Sequence, residues 1–337
     1  PEFAKLAENY KKAVSAGLDK LETDITIYDV RSQADHEQDH SLIVAEQQEY
    51  ENGNYPQTNA AAVIDLDHKL IAELQSNPEF LKNNNKFLKN NLDDIFWSLV
   101  LLNDSKELRD ATAKFILPPK LVFSPHNGQG FRATTISKSV IGRWLPEVTV
   151  FPTVFAGLDN QLNANTYVNT FIHELGHSAV AGSGDKKTMD RKMGDDFGAV
   201  LDEGRVQSLT YKTIRYLNRK NSTLKPVFEE FEGSDQYLVI AEIVESIART
   251  SSNPDFIVEW QLGAIDYKTM LENIRGSIRN LGLSNEVYKK IMDFRLGDKK
   301  TDASISLLNQ LLVELRLGGV NLSDDFVRSI LKRNVRH

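Results

Sequence analysis

Two stretches of this chain fit the pattern His-Glu-x-x-His: HELGH at 173–177 and HEQDH at 36–40. On an α-helix this spacing sets two imidazoles one turn apart on one face, where they can share a divalent metal. It also puts a carboxylate beside the first of them, where it can take a proton from water. Nitrogen ligands with an adjacent base are the equipment of metal-assisted hydrolysis. The chain contains no cysteine, so thiolate ligands, disulfides and a catalytic thiol are excluded, and a transition metal would have to rest on His, Asp and Glu.

The flanking residues separate the two stretches. A helix that holds a metal needs its other face buried, so that the ligands are rigid and the site is partly dry. In NTYVNTFIHELGHSAVAG, Val168, Phe171, Ile172, Leu175 and Ala179 recur at i, i+3, i+4, i+7 and i+11, a continuous apolar stripe. His173 and His177 share a face beside that stripe, and no Asp, Glu, Lys or Arg other than Glu174 lies between 160 and 184. Asp159 or Asn160 is expected to start the helix and Gly182 to end it. HEQDH has Asp35, Glu37 and Asp39 around its histidines and a polar upstream flank, and reads as a solvated acidic face. HELGH is therefore the expected metal site.

The elements that must position HELGH follow from periodicity. AKLAENYKKAVSAGLDKLE places Leu6, Tyr10, Ala13 and Leu21 at helical spacing, and further helices are expected around HKLIAEL and DDIFWSLVLL. Near residue 116 the texture turns to β-formers, with LVF, FRATTIS and WLPEVTVFPTVF. Pro152 lies inside the last run, and a proline cannot donate to a central ladder, so the 148–155 strand is expected at a sheet edge. From 160 onward the pattern is almost wholly helical, with Gly282, Gly297, Gly318 and Gly319 as helix ends and Ser284 and Ser323 as N-caps. The expected organisation is a helical region over 1–110, a catalytic core over 111–220 and a helical region over 221–337.

Composition sets outer bounds. With 337 residues there is ample chain for a sizeable core, and the net charge of −7 argues against a general affinity for nucleic acid or anionic membrane. No apolar run reaches the roughly 18 residues a membrane span needs. The opening Pro-Glu-Phe looks like a cloning remnant. No phosphate-binding glycine loop or GxSxG elbow is present. His68 and His126 are expected at the surface, and Trp97, Trp144 and Trp260 in the core.

The order of β-rich runs, an edge-like strand and an apolar helix bearing HELGH resembles the zincin metallopeptidases, over about residues 120–220. The resemblance implies an α+β, mostly helical fold. Its zincin-like core would be a small sheet with the 148–155 strand at its edge plus the active-site helix, flanked by helices. It implies Zn²⁺ as cofactor and a substrate lying antiparallel along that edge strand. Catalytic zinc usually takes three protein ligands, and His337 is the one histidine downstream of HELGH, so a carboxylate is expected beside His173 and His177, as in gluzincins. Glu203 in LDEGRVQSL, 26 residues after His177, is the first candidate. That segment is similar to the Asn-Glu-Gly stretch in which neutral aminopeptidases carry their ligand glutamate, with Asp202 in place of Asn. Asp202 could then orient a ligand histidine, and Gly204 would let helices approach.

AEIVESIAR offers Glu242 and Glu245 as competitors, with a resemblance to the glutamate helix of the anthrax lethal-factor type of zincin. An ion pair with Arg249 is the other reading of those two. In the mechanism the resemblance implies, Glu174 takes a proton from water and passes it to the leaving amine. A second oxyanion donor is expected among Tyr211, Tyr216, Tyr237, Arg205 and Arg249, with Tyr237 favoured because it is expected just before a helix.

These readings lead to the expectation of a zinc metallopeptidase, an endopeptidase on protein or peptide substrates. A bacterial secreted or host-delivered setting is expected, with a cytoplasmic one open. The rival reading is a helical scaffold that keeps a zincin-like shape around a structural HELGH helix.

Overall fold

The computed structural model describes residues 2–52, 59–100, 118–125, 133–140, 143–157, 159–180, 196–220, 235–261, 265–296 and 302–323. Their order is α1 (Glu2–Ile27), α2 (Gln33–Glu51), α3 (Ala60–Ser76), α4 (Pro78–Asn90), α5 (Leu92–Val100), β1 (Lys120–Phe123), β2 (Ala133–Val140) and β3 (Arg143–Val150). A 3₁₀ turn (Pro152–Phe155) follows, then α6 (Ala164–Val180), α7 (Asp196–Lys220), α8 (Asp235–Arg249), α9 (Phe256–Gln261), α10 (Tyr267–Asn280), α11 (Asn285–Leu296) and α12 (Asp302–Leu317). The fold is mostly helical, with one small sheet among the described residues. No described helix is long and apolar enough to cross a membrane. The chain divides into two units, one of Pro1–Leu101, Ala113–Ser183 and Lys212–Phe231, the other of Leu102–Thr112, Gly184–Tyr211 and Glu232–His337. The first unit thus takes segments from both the 1–110 and the 111–220 blocks of the sequence.

In the first unit α1 buries Ala7, Tyr10, Val14, Leu18, Leu21 and Ile25, one line at three- and four-residue steps. Leu6 and Ala13 fall at its half-buried margins. The helix lies against β1, α3, α4 and α5. At Gly17 a Cβ would come within 2.7 Å of Leu121, so the absent side chain is what lets α1 close onto β1. The sheet has the order β1-β3-β2, with β1 parallel and β2 antiparallel to β3.

The edge position expected for the 148–155 strand is therefore corrected: β3 is the central strand. Pro152 does not interrupt it, because β3 ends at Val150 and Pro152 opens the 3₁₀ turn, where its missing N–H costs nothing. Pro146 lies within β3, but β1 pairs only from Glu147 onward, so among the described residues the strand has a partner on one side alone at Pro146.

The start of α6 is corrected as well. Ala156 is bridged to Leu162, and Asn160, between them in sequence, takes a positive φ of 58°. Asp159 is spent there, its Oδ1 accepting from the Gln161 N–H at 3.2 Å. The helix begins at Ala164, and Asn163 caps it by accepting from the Thr166 N–H at 3.1 Å. Gly182 lies outside the described residues.

In the second unit, Val239, Ile240, Ile243, Val244 and Ile247 of α8 join Phe197 and Leu201 of α7 and the buried faces of α9 to α12 in one core. Trp260 is buried in it, whereas Trp97 of the first unit is 36% exposed. Gly282 and Gly319 take the left-handed conformation that ends α10 and α12. There the N–H groups of Leu283 and Val320 return to the carbonyls of Ile278 and Leu315. Ser284 stands directly before α11; Gly297 lies outside the described residues, as does whatever follows Ser323.

Candidate functional site

The HELGH histidines sit on α6, and the packing of that helix explains their placement. Val168, Phe171, Ile172 and Leu175 are almost wholly buried against the 3₁₀ turn, β2 and β3, with α4 and α5 also in contact. Burial of that size contributes about 1.5–3 kcal/mol per side chain and fixes the rotation of the helix about its axis. Tyr167 adds a polar lock. Its hydroxyl donates to Asn85 Oδ1 on α4 at 2.7 Å, and Asn85 Nδ2 donates to the Leu18 carbonyl of α1 at 3.3 Å. Burial raises the Tyr167 pKa far above that of a free phenol, with the Glu22 charge adding to it, so the hydroxyl keeps its proton as a donor.

With the stripe buried, His173 and His177 are half-buried beside it. Their Nε2 atoms lie 3.0 Å apart, with ring planes at 80°. Two nitrogens on one zinc, each about 2.0–2.1 Å from it, are separated by less than about 4.2 Å, so the pair is spaced as two ligands of one ion. Glu174, between them in sequence, is 6% exposed.

Glu203 belongs to the second unit, half-buried on α7. The residues around it are held by a chain of polar contacts. Glu245 on α8 accepts from Arg205 Nε at 2.8 Å, Arg205 Nη1 donates to Gln261 Oε1 on α9, and Gln261 Nε2 donates to Asp202 Oδ1 at 2.7 Å. Asp202, expected to orient a ligand histidine, is thus engaged with Gln261, and nothing in the sequence signalled that long-range partner. Glu242 accepts from Arg249 Nη2 at 3.2 Å, the ion pair that was the other reading of that helix. Glu245 instead faces the buried Arg205. Among the expected oxyanion donors, Arg205 and Arg249 are engaged in these pairs, Tyr211 is half-buried and Tyr216 is 49% exposed. Tyr237 lies in the first turn of α8 rather than before it, and its side chain is outside the described residues. His126 and His337 are also outside them.

At HEQDH the burial is inverted from what the pattern would need. His36 and His40 are exposed, while Asp35 and Asp39 are buried toward α3. The expected solvated acidic face is therefore corrected for these two carboxylates. His68, expected at the surface, has a side chain only 27% exposed and meets both of them. Sequence reasoning missed this cluster. Its one signal was the four-residue spacing of Asp35 and Asp39, masked by the histidine pattern that overlaps it.

No family model, curated protein or solved structure matches this chain.

Proposed function

We propose that this protein is a zinc-dependent metallopeptidase that hydrolyses peptide bonds in protein substrates. His173, His177 and Glu203 would hold the metal in this reading, and Glu174 would be the general base. The observation that carries it is the 3.0 Å approach of the two Nε2 atoms on a helix whose far face is fixed by burial. The donor set fits zinc, which accepts imidazole and carboxylate ligands. The choice of Glu203 rests on the likeness of LDEGRVQSL to the gluzincin ligand stretch. It is supported by the engagement of both competitors, Glu242 and Glu245, with arginines.

Bound zinc would polarise a substrate carbonyl and bring the pKa of a water toward about 7. Glu174 receives the proton of the attacking water and delivers it to the leaving amine, restoring its carboxylate at the end of the cycle. Its burial keeps bulk water from competing for that proton. Since β3 is central, the substrate lane is assigned to β2. This strand packs with α6 and, among the described residues, pairs on one side only, so its backbone can receive an extended peptide.

The test is proteolysis of a panel of unfolded protein substrates by wild type and Glu174→Gln, both zinc-loaded. The reading expects cleavage by the first and a loss of about 10²–10⁴-fold in the second. Equal cleavage by both, or none by the wild type, would remove the peptidase reading.

A further inference from the structure

Outside α6, the first unit carries a second convergence of metal-ligating side chains, joining α2 to α3. His68 Nε2 lies 3.2 Å from Asp35 Oδ2 and 3.1 Å from Asp39 Oδ2, and the three ligand atoms all fall within 4.8 Å of one another. We infer that Asp35, Asp39 and His68 form a binding site for one divalent transition-metal cation, which clamps α2 to α3.

Three observations lead there. The first is charge. Asp35 and Asp39 are 2% and 8% exposed, and two carboxylates buried together are strongly disfavoured without a cation between them. The second is direction. His68 Nε2 is itself buried and makes no hydrogen bond, although two carboxylate oxygens stand within hydrogen-bond distance of it. A nitrogen close to both oxygens but aligned with neither suits a lone pair aimed at a shared ion better than an N–H aimed at one acceptor.

The third is support around the ligands. The Tyr28 hydroxyl donates to Asp35 Oδ1, leaving Oδ2 toward His68, and Ser32 Oγ accepts from the Asp35 N–H at 3.1 Å, fixing the first turn of α2.

The donor set selects the class of ion. One imidazole and two carboxylates suit zinc and its first-row neighbours, whereas calcium and magnesium favour oxygen alone. The inference is independent of the α6 reading and shares no residue with it.

The experiment is metal counting and calorimetric titration on the full chain, first stripped with chelator and then given Zn²⁺ or Co²⁺. Wild type is compared with His68→Gln, Asp39→Asn and the double variant His36→Ala/His40→Ala, which removes the exposed histidines of the same helix. One equivalent fewer in His68→Gln and in Asp39→Asn, with no loss in the double variant, is expected. Zinc should also raise the thermal midpoint of stripped wild type by more than that of His68→Gln, and Co²⁺ difference spectra between the two should contain a visible d–d band. His68 is partly exposed, so His68→Gln decides the outcome even if Asp39→Asn fails to fold. Equal stoichiometry in wild type and His68→Gln would overturn the inference and leave an imidazolium ion pair. Loss confined to the double variant would place the metal on the exposed histidines and overturn it equally.

Discussion

The Nε2 atoms of His173 and His177 lie 3.0 Å apart, one helical turn from each other on α6. For the proposed metal site, two nitrogens held this close on a buried scaffold would need little reorganisation to receive an ion. Preorganisation of this kind depends on the packing beneath the histidines as much as on the ligands.

That dependence can be measured at Ile172, which is fully buried on the stripe side of α6. Ile172→Ala should cost about 2–5 kcal/mol of stability. It should also weaken zinc binding, since the rotation of α6 is then less firmly set. Urea denaturation and zinc titration of the same preparation check both effects.

The Tyr167–Asn85 hydrogen bond locks α6 to α4. Tyr167→Phe keeps the ring but strands the buried Asn85 oxygen, and should destabilise the protein by about 1–3 kcal/mol. Because the hydroxyl stays protonated far above neutrality, the loss should be constant from pH 6 to 9. Denaturation midpoints at several pH values across that range test this.

Glu203 and Glu245 should separate cleanly. Glu245→Gln breaks a pair with the buried Arg205 and should cost about 3–5 kcal/mol while leaving zinc at α6 in place. Glu203→Gln should lower zinc affinity at α6 with a much smaller loss of stability. The reverse pattern in paired melting and metal-binding measurements would make Glu245 the ligand.

Gly17 tests the seating of α1 on the sheet. A Cβ there would stand 2.7 Å from Leu121, and crowding of this kind costs about 1–3 kcal/mol. Gly17→Ala raises helix propensity, so a net destabilisation by denaturant titration would report the clash over the propensity gain.

Much of α6 was legible in the sequence because its signals are local. The apolar stripe at helical spacing, the paired histidines and the lone glutamate all lie within one segment, and the burial follows them. Its start was misplaced by about one turn because Asp159 and Asn160 are good caps in isolation, whereas here they lie between the bridged Ala156 and Leu162. Pro152 marked the end of β3 but was read as a sign of an edge, since strand order is set by pairing partners tens of residues away. The Asp35, Asp39 and His68 cluster was hidden for the same reason: His68 arrives from another helix, and which face of α2 is buried depends on α3. The Arg205–Gln261–Asp202 contacts likewise join α7 to α9 across some sixty residues of chain.

The most direct measurement is zinc stoichiometry by metal mass spectrometry on wild type, His177→Ala and His40→Ala, purified and reconstituted identically. His177→Ala should hold one zinc fewer per chain than wild type, and His40→Ala the same number as wild type. An unchanged zinc content in His177→Ala would contradict the proposed site, because no metal would then depend on the HELGH helix.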